Sequence, residues 1–105
     1  GYIGAGQKEG ARCVTGGKKV DRAGYFIEPT IFDNVKDEMS IAREEIFGPV
    51  LALVRTDSWQ RGIEIANSTE YGLTGAFFSS DTARLDHARN KCRDTTLLRA
   101  RLSYR

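Results

Sequence analysis

The chain has 105 residues, of which 40% are hydrophobic and 29% are charged. This composition is typical of a folded domain with a modest core and argues against intrinsic disorder. With 16 basic and 14 acidic residues the net charge is +2, which is too balanced to indicate binding to nucleic acid.

The sequence of the first quarter of the chain indicates irregular structure followed by a strand. Residues 1–10 are rich in glycine, which indicates a short helix end or a loop. Residues 11–15 are partly β-branched and are followed by Gly16-Gly17, so a strand and a turn are expected.

The next stretch predicts a second strand and a short helix. Residues 25–32 are aromatic and β-branched, but Pro29 has no N–H, which favours an edge position or a bulge. We expect the aromatic residues of this strand to lie in the core. Residues 37–43 are predicted to form a turn of helix, with Met39 and Ile41 as apolar anchors.

The following strand and helix have clearer signals. Residues 50–55 are apolar and predict a strand. Asp57 or Ser58 is a suitable N-cap for a helix that ends near Asn67. Apolar residues recur at i, i+4 and i+7 along one face of this helix, at Trp59, Ile63 and Ala66.

The last regular elements repeat this alternation. Residues 71–78 form a glycine-punctuated strand pattern, and Asp81 or Thr82 can cap a helix that runs to about Asn90. Leu85 and Ala88 are predicted to face inward from that helix.

The predicted fold class is α/β, because strands and helices alternate from residue 50 onward. This order favours a βαβα unit and a mainly parallel sheet with flanking helices, in which the helix after residues 50–55 makes the crossover. Residues 92–105 lack clear periodicity and are set apart as an atypical tail. Leu97, Leu98 and Leu102 in this tail suit either a short strand or a basic amphipathic helix.

The sequence E-E-I-F-G-P-V at residues 44–50 is the most distinctive stretch. In an extended segment Glu45 and Phe47 point to the same side, where a carboxylate and a ring suit the ribose and base of a nucleoside. Gly48 permits unusual backbone geometry, and Pro49 restricts the residue before it. The alternative is a surface turn with solvated acids and a core phenylalanine.

Other residues with reactive side chains give weak signals. Cys13 and Cys92 have no metal-binding spacing and suit structural roles, and His87 suits an exposed helix position. Glu44 and Glu45 lack a matched partner for acid–base chemistry. We therefore assign no catalytic residue and no metal ligand. The absence of a secretory signal or an apolar span favours the cytoplasm, or the mitochondrial matrix in a eukaryote.

Three motifs in the same order resemble the aldehyde dehydrogenase superfamily. They are G-Y-F-I-E-P-T-I-F at residues 24–32, E-E-I-F-G-P-V at 44–50 and A-N-S-T-E-Y-G-L at 66–73. The resemblance covers residues 1–91 and implies part of an aldehyde dehydrogenase catalytic domain. Residues 92–105 do not match the strand that follows in the family.

The resemblance implies a nicotinamide cofactor, NAD or NADP, and an aldehyde substrate. It implies that Glu45 bonds the hydroxyls of the nicotinamide ribose and that Phe47 packs beside the nicotinamide. The family's nucleophilic cysteine precedes these motifs, and neither Cys13 nor Cys92 occupies its place. We therefore expect weak or no cofactor binding and no aldehyde oxidation by this chain alone.

Within the family, Y-G-L-T-G at residues 71–75 and H-A-R at 87–89 resemble the 1-pyrroline-5-carboxylate dehydrogenase branch of the proline and glutamate pathway. Two alternatives remain open at this point. One is a non-catalytic module that self-associates into a homo-oligomer through unpaired strand edges. The other is a small independent nucleotide binder.

Overall fold

The chain divides into two units, Gly1–Thr56 and Asp57–Arg105, in a computed structural model. The structure describes residues 1–92 and the backbone of Thr96–Arg101. The remaining parts of the predicted tail, residues 93–95 and 102–105, lie outside the described residues, and Leu102 is among them.

The first unit is a three-stranded sheet with two short helices. Its elements in chain order are α1 (Tyr2–Lys8), β1 (Arg12–Thr15), β2 (Thr30–Asp33), α2 (Ser40–Arg43) and β3 (Val50–Ala52). The strand order is β1-β2-β3, with β1 antiparallel and β3 parallel to β2. The central strand β2 therefore organises the unit.

The core of the first unit forms around Phe32 of β2, which is fully buried. Four further buried residues pack with it, namely Ala11, Val35, Met39 and Ile41. The predicted anchors Met39 and Ile41 are thus confirmed. Since α2 has only four residues, these two side chains, more than helix propensity, hold it in place.

The prediction of one strand over residues 25–32 is wrong for its first half. Only Thr30–Asp33 forms β2, and Ile27 makes an isolated bridge to Lys19. Pro29 cannot donate to a strand ladder, so regular pairing begins after it. The aromatic core is also smaller than expected, because Tyr25 is 98% exposed and Phe26 is 42% exposed.

The second unit contains two helices and a two-stranded parallel sheet. Its elements are α3 (Trp59–Ala66), β4 (Thr74–Ser79), α4 (Thr82–Lys91) and β5 (Thr96–Arg101). One N-cap candidate of each predicted pair is confirmed. Ser58, not Asp57, accepts a hydrogen bond from the backbone of Arg61, and Asp81, not Thr82, accepts two, from Ala83 and Arg84. Each cap satisfies backbone N–H groups that have no partner within the helix.

The apolar faces of both helices behave largely as predicted. Ile63, Leu85 and Ala88 are buried, whereas Ala66 is exposed. Trp59 meets the rings of Phe77 and His87 edge-on, at centroid distances of 6.5 and 4.9 Å. Among the described residues no helix is long and apolar enough to cross a bilayer.

The α/β class with mainly parallel strand pairs and flanking helices is confirmed, but the expected crossover connection is not found in the described sheets. The helix after β3 was expected to connect two strands of one sheet, whereas β3 pairs with β2 and β4 pairs with β5. The strand β5 covers Leu97 and Leu98, which were assigned to either a strand or a helix. Strand partners are set by distant segments, so local alternation could not identify them.

Candidate functional site

The candidate site is the loop of residues 44–50, which connects α2 to β3. The helix ends at its C-cap, Glu44, whose φ of −106° and ψ of 149° are extended. We call residues 44–50 the EEIFGPV loop. It belongs wholly to the first unit.

Four contacts hold the EEIFGPV loop, two through side chains and two through its backbone. The Tyr2 hydroxyl donates to the Glu44 carboxylate at 2.8 Å, and Ile46 packs against the core. The Gly48 carbonyl accepts from the N–H of Val50 at 2.8 Å. The Pro49 carbonyl accepts from the N–H of Thr30, also at 2.8 Å.

The two residues between these anchors are exposed. Glu45 is exposed, and the side chain of Phe47 is 90% exposed. A large aromatic side chain gains most of its stabilisation from burial, and here burial within the unit is nearly absent. The alternative of a core phenylalanine in a surface turn is therefore wrong for Phe47.

Phe47 also has an unusual backbone conformation, with φ at 55°. For a bulky residue other than glycine the left-handed region is strained, at a cost of about 1–2 kcal/mol. Such strain is found most often at functional sites. Phe47 is not extended, so the assumption of an extended segment is wrong at this residue, and the alternation rule no longer places Phe47 on the side of Glu45.

Thr30 links the second strand to the EEIFGPV loop. Its hydroxyl donates to the Glu28 carbonyl and accepts from the Gly17 N–H, both at 2.8 Å. Gly16, with φ at 73°, lies so close to Pro29 that an added Cβ would be 2.1 Å from the Pro29 carbonyl oxygen. The glycine pair and the P-T sequence therefore fix the strand that holds the loop.

A charged cluster closes the other end of the sheet. The Asp33 carboxylate is 8% exposed and pairs with Arg55 at 3.0 Å and Arg12 at 3.5 Å. The hydrogen bond from Arg55, aided by the backbone N–H of Asn34, holds the pKa of Asp33 below its ordinary value. The same bond raises the pKa of Arg55. Because these contacts join the ends of the strands, we regard the cluster as structural.

The other residues that the sequence offered as candidates for a functional role make contacts that belong to the fold. The Cys13 thiol donates to the Thr15 carbonyl at 3.4 Å, and Cys92 is the C-cap of α4. His87 is exposed and contacts Trp59. Asn67, the C-cap of α3, donates its side-chain N–H to the Lys91 carbonyl at 2.8 Å. In the described part of the chain no acidic, histidine and cysteine side chains form a metal-binding group.

Two features were missed from the sequence. One is the role of Tyr2, which contacts Glu44 from 42 residues away and gives no local signal. The other is a recess of about 260 Å³ beside the Gly16-Gly17 turn. It is lined by Ile3, Gly17, Lys18, Lys19, Tyr25, Phe26 and Ile27. It had no signal in the sequence, because Tyr25 and Phe26 were expected to lie in the core.

Comparison with known proteins identifies the family. The family model described as "Aldehyde dehydrogenase family" matches residues 1–97. A 1-pyrroline-5-carboxylate dehydrogenase of Geobacillus sp. (strain WCH70) is 49% identical over 90 residues, covering 86% of this chain and 17% of the relative. The alpha-ketoglutaric semialdehyde dehydrogenase of Bacillus subtilis (strain 168) is 44% identical over 88 residues, covering 80% and 18%.

The fold is likewise similar to solved structures of this family. The aldehyde dehydrogenase of Mycobacterium tuberculosis, solved in complex with NAD⁺, superposes with a TM-score of 0.85 at 39% identity. That match covers 98% of this chain and 22% of the other. The chain thus spans about a fifth of the length of these proteins, and both its sequence and its fold match the same family. It belongs to the aldehyde dehydrogenase family.

Proposed function

We propose that this chain is part of the catalytic domain of an NAD(P)-dependent aldehyde dehydrogenase, and that the EEIFGPV loop forms one wall of its cofactor site. In this proposal the Glu45 carboxylate accepts hydrogen bonds from the hydroxyls of the nicotinamide ribose. The ring of Phe47 packs beside the nicotinamide. Two hydrogen bonds to a diol are directional, so Glu45 orients the cofactor more than it adds affinity.

The observation that carries the proposal is the conformation of Phe47. Its ring is 90% exposed and its φ is 55°, so the residue gains little burial and carries backbone strain. Folding of this unit does not benefit from either property. Both are expected of a side chain that contacts a ligand or another part of a larger protein.

The residues of the loop fit a nicotinamide nucleoside chemically. An exposed carboxylate is an acceptor for hydroxyl groups, and an exposed ring offers a flat apolar surface. The bound cofactor would accept the hydride from the substrate. The chain's own residues would bind and orient it.

We propose that the chain alone does not oxidise aldehydes. Neither cysteine occupies the place of the family's nucleophile: Cys13 donates to the backbone carbonyls of Thr15 and Gly16, and Cys92 is the C-cap of α4. A purified sample that formed NADH from aldehyde and NAD would contradict this.

For the substrate we propose glutamate semialdehyde, in equilibrium with 1-pyrroline-5-carboxylate, which places the parent protein in proline metabolism. The support is the Y-G-L-T-G sequence at residues 71–75 together with the 49% identity to a 1-pyrroline-5-carboxylate dehydrogenase. The 44% identity to an alpha-ketoglutaric semialdehyde dehydrogenase makes that substrate the main competitor. We place the protein in the cytoplasm or the mitochondrial matrix, where free thiols such as Cys13 and Cys92 are stable.

A second candidate function is self-association without catalysis. The strands β1 and β3 lie at the edges of the first sheet in the described structure, and Leu51 and Leu53 are about half exposed. Unpaired edges and exposed apolar residues favour pairing between chains. Sedimentation of the purified chain tests self-association, because a monomer at high concentration contradicts it.

A chimeric enzyme tests the cofactor proposal. Residues 1–90 of this chain would replace the matching segment of the Geobacillus 1-pyrroline-5-carboxylate dehydrogenase, which is 49% identical. The chimera is expected to oxidise its aldehyde with NAD. We expect Glu45→Gln to lower the rate by about 10- to 100-fold, since hydrogen bonds to a charged group contribute about 1.5–3 kcal/mol. We expect Phe47→Ala to lower it by about 2- to 10-fold, since ring contacts contribute about 0.5–1.5 kcal/mol. A folded chimera whose rate is unchanged by both substitutions would contradict the proposal.

A further inference from the structure

The helix α1 packs along α2, the helix that leads into the EEIFGPV loop. Gly6 of α1 is buried, and a Cβ added there would lie 2.9 Å from Cδ1 of Ile41 and 3.5 Å from the ring of Phe32. The absence of a side chain at Gly6 therefore allows the two helices to approach closely. Ile41 in turn belongs to the core cluster.

A polar contact joins the helices at each end. At the start of α2 the Glu9 carboxylate accepts from the backbone N–H of Ser40 at 2.9 Å and from its hydroxyl at 3.1 Å. At the end of α2 the Tyr2 hydroxyl donates to Glu44 at 2.8 Å. The start of α1 thus meets the end of α2, and the two helices run in opposite directions.

These contacts replace caps that α2 lacks. Its N-cap residue, Met39, makes no side-chain hydrogen bond to the helix, so Glu9 takes over this role from 31 residues away. A negative charge at a helix N-terminus also interacts favourably with the helix dipole. A four-residue helix has little stability of its own, so its position depends on these contacts.

We infer that Tyr2 and Glu9 are positioning residues that fix the EEIFGPV loop for its ligand. The Tyr2 contact holds Glu44, the residue before Glu45, while Ile46 is held by the core on the other side. Glu45 is therefore constrained from both neighbours although its own side chain is exposed. This inference rests on the proposed function of the loop, but it makes a separate statement about order in the loop.

The test measures backbone order in the 105-residue chain by ¹⁵N relaxation, without any cofactor. In the unsubstituted chain residues 45–47 are expected to have order parameters near those of a rigid backbone, about 0.85. Tyr2→Phe removes one hydroxyl, and Glu9→Ala removes both bonds to Ser40. Each is expected to lower the order parameters of residues 45–47 below about 0.6, while Phe32 in β2 stays rigid.

Matched controls separate the contacts from general effects. Tyr25→Phe removes a hydroxyl from a residue that is 98% exposed, and Glu38→Ala removes an exposed charge close to α2. Both are expected to leave the loop unchanged. Glu9→Gln keeps an acceptor oxygen and is expected to restore most of the order lost in Glu9→Ala.

Three results would overturn the inference. They are unchanged order at residues 45–47 in both Tyr2→Phe and Glu9→Ala, an equal effect of the control substitutions, and an equal loss of order in β2. The last result would show that α1 only stabilises the unit. A separate NAD titration followed by the same resonances reports on the proposed function, so failure of cofactor binding and failure of the positioning role are distinguishable.

Discussion

Replacing Phe47 with asparagine is expected to stabilise the first unit. A left-handed backbone costs a bulky residue about 1–2 kcal/mol, whereas asparagine tolerates this conformation far better. The Phe47 side chain is 90% exposed, so its removal sacrifices little buried area. We expect Phe47→Asn to raise the free energy of unfolding by about 1 kcal/mol. Most substitutions of natural residues destabilise, which makes the sign diagnostic.

Urea unfolding provides the assay, with the Phe32 amide resonance as the probe of the first unit. The single tryptophan, Trp59, lies in the second unit, so the probe is taken from within the first unit. With an m-value of about 1–3 kcal/mol/M, a gain of 1 kcal/mol raises the urea midpoint by about 0.5 M.

Phe47→Ala is the matched control, because it removes the ring and keeps a Cβ in the strained conformation. Its stability is expected to stay within about 0.5 kcal/mol of the unsubstituted chain. A lower midpoint for Phe47→Asn than for Phe47→Ala would refute the reasoning, since a residue that tolerates the left-handed conformation would then give no gain in stability.

Three further predictions concern the scaffold. Gly16→Ala is expected to destabilise the first unit by about 2 kcal/mol or more, because φ is 73° and the new Cβ would meet the Pro29 carbonyl oxygen. Gly10→Ala is the control, because Gly10 also has a positive φ, of 99°, but an added Cβ would meet no atom there. It should lower the free energy of unfolding less than Gly16→Ala in the same urea titration, and equal losses would contradict a role for the contact with Pro29. The pKa of Asp33 is lowered in the folded chain, so its stabilising contribution is present above the ordinary carboxyl value of 3.8 and is lost as the pH falls through the lowered value. Unfolding free energies measured against pH should therefore decline less steeply in acid for Asp33→Asn than for the unsubstituted chain or the exposed control Asp21→Asn, and identical acid profiles would be evidence against the ion pair. In the second unit, Asp81→Ala removes the cap of α4 and is expected to cost about 1 kcal/mol by thermal unfolding, whereas Asp57→Ala, which is exposed and outside the helix, should change little.

The elements with local signals were predictable from the sequence. Ser58 and Asp81 cap α3 and α4, and both helices begin one residue later, as expected. An N-cap acts on the next two or three residues, so its signal is contained in a short stretch of sequence. The burial of Leu85 and Ala88 follows from the same periodicity.

The elements that depend on distant partners were not predictable in the same way. The strand pattern from Tyr25 continues into β2, but the first residues have no continuous ladder and only Ile27 forms a bridge. Tyr25 and Phe26 have a composition suited to a core and are nevertheless exposed. Hydrophobicity alone does not specify which face of a segment is covered.

The candidate site contains some features with a local sequence signal and others that depend on distant parts of the chain. Glu45 and Phe47 were identified by the sequence motif, which remains a prediction of their role. The left-handed backbone of Phe47 had no local signal, because a glycine would have been expected at such a position. The contact from Tyr2 arises from the packing of α1 on α2 and required the structure.

The most direct measurement of the central claim is the single-turnover rate of hydride transfer in the chimeric enzyme. Glu45→Gln is compared with Glu38→Gln, an exposed glutamate outside the EEIFGPV loop. We expect Glu45→Gln to slow hydride transfer by about 10- to 100-fold and Glu38→Gln to leave it unchanged. Equal rates in the two variants, both saturated with NAD, would contradict the assignment of this loop to the cofactor.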